Sequence, residues 1–252
     1  MNLEEFPESI KKDIEDQSLA ILAEIAEDVV VIGGWAVRAL AGENHRRYTL
    51  DIDCVASPES LPKIGEKLEL LGLKVEKHGW GLLFHKRYEP PAGAPEDARE
   101  KARETMLRIE ISPPRIAEAE TPHYFEFSLE NYKKAEISFH NKPGKVVVKV
   151  PPVEDMAAVK VGLPVDYKNN FDAAVLLALS DPAAVARSIL GNDDWKAVVL
   201  RRMPKLVSRA RDRGRIENTL MQNAGMSVGA YVKQLQEIER RIQAGSTDPR
   251  CR

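Results

Sequence analysis

The β-branched run Val29-Val30-Val31-Ile32 leads straight into Gly33-Gly34, and seventeen residues later the chain reads Asp51-Ile52-Asp53. Such a run reads as a buried strand, and the glycine pair ends it with a turn whose backbone a ligand can approach closely. Side chains alternate along a strand, so Asp51 and Asp53 project from one face while Ile52 points into the core. Two carboxylates this close repel unless a cation neutralises them, and magnesium (or manganese), with its preference for hard oxygen ligands, suits them. The short helix expected from Trp35 to Leu40 adds backbone N–H groups and a positive helix end where a triphosphate would lie. A Gly-Gly pair alone reads as no more than a turn. With the aspartates it points to phosphoryl chemistry.

The rest of the chain is that of a globular protein. Its 252 residues, 43% hydrophobic and 30% charged, suffice for a sizeable core and exclude disorder. With 37 basic against 39 acidic residues the net charge is -2, so any nucleic-acid surface must be local. Cys54 and Cys251 are the only cysteines, which excludes a disulfide framework or a cysteine metal cluster and suits a reducing cytoplasm. The histidines show no ligand spacing, so zinc is not expected. The acidic start Asn2-Leu3-Glu4-Glu5 is no secretory signal, and no stretch approaches the roughly 20 apolar residues of a membrane span. The expectation is a soluble cytoplasmic protein without membrane contact.

Periodicity predicts an opening amphipathic helix through Ile10, Ile14, Leu19, Leu22 and Ile25, the strand ending at Ile32, and a strand from Tyr48 to Val55. A helix begun by Ser57 and Pro58 and closed by Gly72 follows. From Leu73 to Val150 the text is β-rich, with strands expected at 73–76, 81–85, 106–111, 123–127, 135–139 and 146–150 and a loop over 89–100. After Pro151-Pro152 nearly everything favours helices: 153–161, 168–179, 182–190 and segments through Arg241. The fold class is therefore α/β (α+β), a mixed sheet flanked by helices and followed by a helical C-terminal domain. The boundary falls between residues 1–150 and 151–252. Met226, Val228, Tyr231, Val232, Leu235, Ile238 and Ile242 form an apolar stripe, so the last helix should dock on the body or on a partner subunit.

Gly33-Gly34-Trp35-Ala36, with Arg46-Arg47-Tyr48-Thr49-Leu50-Asp51-Ile52-Asp53, resembles the motif of the DNA polymerase β-type nucleotidyltransferase superfamily. The gap between turn and aspartates is longer than usual there. It is similar to that of the AbiEii/AbiGii toxin family of nucleotidyltransferases, which also carries an Arg and a Thr before the aspartates, as do Arg47 and Thr49. Gly-Gly-Trp-Ala resembles aminoglycoside and lincosamide nucleotidyltransferases as well. A second stretch, Lys160 and then Lys168-Asn169-Asn170-Phe171-Asp172, favours the toxin-like family, although Phe171 stands where that family has Arg and Pro164 interrupts the segment.

The resemblance implies a nucleotidyltransferase core over residues 1–150, with Lys160 and Asp172 of the helical domain sharing its cleft. It implies transfer of a nucleoside monophosphate from an NTP to an acceptor hydroxyl with release of pyrophosphate. Asp51 and Asp53 would hold metal, Gly33, Gly34, Arg47 and Thr49 would bind nucleotide, and Lys160 would meet triphosphate oxygens. Asp172 would orient Lys160 or the acceptor. A third carboxylate normally completes such a site, and Glu110 is the candidate, projecting from the polar face of Leu107-Arg108-Ile109-Glu110-Ile111; Glu126 and Glu136 are weaker substitutes. Each has an ordinary reading too: Lys160 an exposed helix lysine, Asp172 a helix N-terminal charge, Glu110 a solvent-facing strand residue, Arg46 and Arg47 loop residues.

The acceptor implied by the toxin-like family is RNA such as tRNA, with an antitoxin protein as a possible partner. A basic cluster, Lys196, Arg201, Arg202, Lys205, Arg209, Arg211, Arg213 and Arg215, would serve an RNA backbone or be a solvated helix face. Two rivals stand beside this reading: an antibiotic-modifying nucleotidyltransferase, and a non-catalytic nucleotide-binding regulatory protein. Among the tryptophans, Trp35, beside the glycines, is the candidate for stacking on a base; Trp80 and Trp195 read as packing residues.

Overall fold

The computed structural model describes residues 6–42, 45, 47–117, 123–211 and 225–245. Arg46, Arg213, Arg215 and Cys251, and the side chain of Arg211, lie outside the described residues. The chain folds as two compact units, one of residues 1–39, 47–114 and 129–150, the other of residues 40–46, 115–128 and 151–252.

In the first unit, α1 (Glu8–Ile25) precedes β1 (Val30–Ile32), and α2 (Gly33–Ala41) begins at the first glycine. Then come β2 (Asp51–Val55), α3 (Leu61–Leu70), β3 (Lys74–His78), β4 (Gly81–Arg87), α4 (Glu96–Ala102) and β5 (Met106–Ser112). The five strands form one mixed sheet in the order β1-β2-β5-β4-β3, parallel only between β2 and β5. Ile52, Cys54, Ile109, Ile111 and Phe84 are buried together on one face. Helix α1 packs on β5, and α3 on α1 and β3, with Ile10, Ile14, Leu22, Ile64 and Leu68 fully buried. Removing each such side chain from water stabilises by about 1.5–3 kcal/mol, which fixes the sheet register, because a one-residue slip would drive Asp51 and Asp53 into this core.

The strands beyond β5 do not join the sheet. They make two separate ribbons, β6 (Arg115–Ala117) with β7 (Tyr124–Glu126) and β8 (Lys133–Ser138) with β9 (Lys145–Val150). Two further expectations are corrected. The 89–100 stretch is not all loop: Pro95 precedes α4, whose first turn carries Glu96 and Asp97 and whose last carries Arg99 and Lys101, matching the helix dipole. Strand β2 starts at Asp51 and not at Tyr48, because the Thr49 N–H donates to the Glu15 carboxylate at 2.7 Å and is not available to a strand partner.

The second unit holds α5 (Val153–Gly162), α6 (Tyr167–Leu179), α7 (Pro182–Leu190), α8 (Asp193–Arg211) and α9 (Val228–Gly245), together with the β6–β7 ribbon. Asp166 caps α6 by accepting from the Asn169 N–H at 2.8 Å, and Asp181 with Pro182 starts α7. The α9 stripe Tyr231, Val232, Leu235, Ile238 and Ile242 is buried, and α9 packs on α7 and α8. Trp195, fully buried, donates its indole N–H to the Ala158 carbonyl at 2.9 Å and meets Phe125 edge-on. Among the described residues no single helix is long and apolar enough to cross a membrane.

Gly162 lies flat against that indole: a Cβ there would stand 2.5 Å from Trp195 Nε1. Gly162→Ala is therefore expected to destabilise the protein by about 1–3 kcal/mol, the usual cost of overpacking a filled core, read from urea unfolding by circular dichroism. An unchanged midpoint would show that the indole has room to move.

Candidate active site

The β2–β5 register sets the acidic face. Asp51 pairs with Arg108 and Asp53 with Glu110, so all four side chains leave the same face of the sheet, opposite the buried Ile52, Cys54, Ile109 and Ile111. Asp51, Asp53 and Glu110 are each half-buried. Burial first, and then the charge of Asp51, raise the Glu110 carboxyl above its ordinary value, with Arg108 and His78 pulling the other way. On the opposite face, burial and the charge of Asp53 push the Cys54 thiol well up, leaving it an unreactive core residue.

The glycine turn abuts this face. β1 pairs antiparallel with β2, bringing Ile32 opposite Asp53. Gly33 takes φ +64, and a Cβ on it would fall 2.0 Å from Asp53 Oδ2, so the carboxylate occupies the space that a side chain would need. At Gly34 a Cβ would stand 2.7 Å from Thr49 Oγ1 and 2.9 Å from Arg47 Nη2. The first turn of α2 is thus flanked by a carboxylate, a hydroxyl and a guanidinium. Gly33, Gly34, Arg47, Thr49 and Asp53, singled out in the sequence, come together here.

Arg47 and Thr49 are held in place by a residue without a motif in the sequence. Glu15 of α1 is only 1% exposed. Its carboxylate accepts from the Thr49 N–H at 2.7 Å, pairs with Arg38 Nη1 of α2 at 2.6 Å, and contacts His140 Nε2 at 2.7 Å. Arg38 also donates to the Arg47 carbonyl at 3.3 Å and lies over the Trp35 ring. Trp35 itself is 1% exposed, so it is a core residue and offers no ring to a base.

In the second unit, Lys160 of α5 is buried, and its ammonium sits 2.8 Å from Asp172 Oδ2 and 3.4 Å from the Asn169 amide oxygen. It is not an exposed helix lysine. Asp172 lies in the sixth position of α6, fully buried, and the N-cap is Asp166 instead. Asp172 Oδ1 lies 3.3 Å from His45 Nε2, and His45 meets Phe171 edge-on. His45 had no spacing signal; 127 residues separate it from Asp172. Glu126 lies on β7 and Glu136 on β8, both off the five-stranded sheet, and Glu136 pairs with Lys145. On α8, Arg201, Lys205 and Arg209 are exposed at i, i+4 and i+8, a basic stripe along one helix face.

Among the described residues, no three His, Cys, Asp or Glu groups close into a ready-made metal cage. Asp51, Asp53 and Glu110 nevertheless offer carboxylate oxygens on one face, and the Asp51 charge opposes an ionised Glu110. That chemistry suits a hard divalent ion such as magnesium or manganese.

No protein-family model matches the sequence, and no curated protein gives a significant match. Among solved structures the chain is similar to JHP933 from Helicobacter pylori, at 12% identity over 96% of each chain with a TM-score of 0.48. It is similar to the nucleotidyltransferase toxin MenT4 from Mycobacterium tuberculosis H37Rv, at 15% identity over 96% of this chain and 85% of that one, TM-score 0.48. It is also similar to the lincosamide antibiotic adenylyltransferase LnuA, at 19% identity over 65% of this chain and 97% of that one, TM-score 0.42.

The raised Glu110 carboxyl has a consequence for stability. A group whose folded pKa is raised holds its proton more readily when folded, so the folded state loses stability as pH rises from the ordinary value of 4.5 through the raised one. Glu110→Gln is expected to be more stable than the parent chain at pH 7, with the gap closing as pH falls below 4.5. Urea unfolding across that range checks it; equal stability at pH 7 would mean that the carboxylate carries no penalty.

Proposed function

We propose that this chain is a metal-dependent nucleotidyltransferase that moves a nucleoside monophosphate from an NTP to an acceptor hydroxyl. The observation that supports it best is the joining of two features in the first unit. Asp51, Asp53 and Glu110 share one sheet face, and the Gly33-Gly34 turn with Arg47 and Thr49 lies against Asp53. Either alone is a common structural feature; together they offer cation ligands beside a phosphate cradle.

Asp51 and Asp53, with Glu110, would hold Mg2+ or Mn2+, which when bound supplies charge neutralisation at the phosphates and a more acidic acceptor hydroxyl. The α2 N-terminal amides, the Thr49 hydroxyl and the Arg47 guanidinium bind and orient triphosphate oxygens. The acceptor oxygen attacks the α-phosphorus in line. The bond from that phosphorus to the bridging oxygen breaks, pyrophosphate leaves, and the hydroxyl proton passes to a carboxylate of the acidic face or to water. For Lys160 and Asp172 the proposal is a pair in which the carboxylate orients the ammonium.

The acceptor is read as RNA, such as tRNA, on the strength of the α8 stripe Arg201, Lys205 and Arg209. An antitoxin protein is the partner that the toxin-like resemblance implies.

The test is incubation with each labelled NTP, magnesium, and either RNA or candidate small molecules such as aminoglycosides and lincosamides. Label is expected in the RNA, and Asp51→Asn and Asp53→Asn should each lower the rate by about 10³-fold, the loss of several kcal/mol of charge stabilisation. Transfer by those variants at the parent rate would refute the mechanism. Label in a drug and not in RNA would reassign the acceptor, and NTP binding without pyrophosphate release would favour the non-catalytic reading. Lys160→Met, compared at equal folding, tells whether the ammonium takes part in transfer.

A further inference from the structure

The one exposed tryptophan of the molecule stands at the end of the acidic face. The chain has three tryptophans. Trp35 and Trp195 are 1% and 0% exposed, whereas Trp80 is 43% exposed, in the two-residue turn Gly79-Trp80 that joins β3 to β4. Its indole stacks on the His78 imidazole, with ring centroids 5.1 Å apart and planes within 6°. His78 is itself steadied by Glu76, whose carboxylate lies 3.5 Å from it and 2.9 Å from His85.

Two observations tie this stack to the acidic face. Register carries the face across the sheet, since Asp53 pairs with Glu110, Glu110 with Leu83, and Leu83 with Glu76; His78, two residues on from Glu76, leaves the same face. The turn is also locked to β5, because a Cβ on Gly81 would stand 2.3 Å from the Ile111 carbonyl oxygen. Only glycine permits that approach. Consistent with this closeness, the His78 imidazole acts on the Glu110 charge.

Trp80 leaves 43% of its surface in water, an aromatic face accessible to a planar partner. One of its faces is already covered by an imidazole, an arrangement that fixes the plane before any ligand arrives. Planar nucleobases stack on such rings whatever their hydrogen-bonding pattern. We infer that Trp80, backed by His78, is a stacking platform for a nucleobase at the edge of the Asp51–Asp53–Glu110 face. The inference rests on the nucleotidyltransferase reading for its setting. The base belongs either to the NTP or to the acceptor RNA.

Tryptophan fluorescence separates these sources, since a stacked base quenches the exposed Trp80 and leaves the two buried indoles largely unaffected. With magnesium present, each NTP, inorganic tripolyphosphate and a single-stranded RNA oligonucleotide are titrated in turn into the full chain. Saturable quenching by an NTP but not by tripolyphosphate assigns the platform to the donor base, and quenching by RNA alone assigns it to the acceptor. Trp80→Phe should abolish the quench. Trp80→Ala should raise Kd and KM for that same ligand about ten-fold with kcat little changed, the size expected for losing one stacked base. If NTP and RNA bind, by equilibrium dialysis, as tightly to Trp80→Ala as to the parent chain, the platform is refuted and the nucleotidyltransferase reading stands. If neither binds the parent chain, both readings fall.

Discussion

A single buried carboxylate organises the first unit. Glu15 lies on α1, far in sequence from the residues it serves, and meets Arg38 of α2, the Thr49 backbone and His140 between β8 and β9. Its neighbour Asp16 accepts from the His140 and Asn141 N–H groups at 2.7 and 2.8 Å. Burying a carboxylate without partners costs several kcal/mol, so chain segments that do not bring these groups to α1 do not form a stable core.

The consequence reaches the site directly. By holding the Thr49 N–H, Glu15 ends the β2 ladder at Asp51 and bends residues 47–49 over the first turn of α2, where Thr49 and Arg47 meet Gly34. By pairing with Arg38, it ties that helix to the same segment. The segment carrying Arg47 and Thr49 and the start of the acidic strand are therefore set from α1, through the Thr49 backbone. The acidic face itself runs against stability, for burial and the Asp51 charge both oppose an ionised Glu110. A chain selected for stability alone would not line three carboxylates along one sheet face.

How much of this was legible in the sequence follows from the range of each signal. Alternation along Asp51-Ile52-Asp53 and along Leu107 to Ile111 is local, and it assigned all three carboxylates to polar strand faces. That β2 and β5 are neighbours, with Asp53 opposite Glu110, is a matter of pairing that no local pattern encodes. Glu15 looked like any helix glutamate, because its partners lie 23, 34 and 125 residues away. His45 and Asp172 were hidden likewise by a separation of 127. With tryptophans the sequence misled: proximity to the glycines favoured Trp35, yet burial removed it, and the exposed ring is Trp80 in a turn that composition marks only by the flanking Gly79 and Gly81. The missed helix α4 has the opposite cause. Three prolines before it dominate the composition, while the signals that start it are the ordinary charges Glu96 and Asp97.

The open arrangement of the carboxylates bears on how such a site would operate. Asp51 and Asp53 are two residues apart on one strand, about 6.6 Å along its axis, and Glu110 stands across from the second. Side chains so spaced do not enclose an ion by themselves, in keeping with the absence of a closed three-group cage among the described residues. A closed cage would hold metal permanently and leave no coordination positions for phosphate. An open row of donors instead binds a small hard cation weakly alone and strongly once triphosphate oxygens complete the shell. By linkage, a cation bound there would tighten a nucleotide by the same factor as the nucleotide tightened the cation. On the proposed reading, the Asp51 charge that opposes an ionised Glu110 would become a bias toward the state in which metal and triphosphate are bound together.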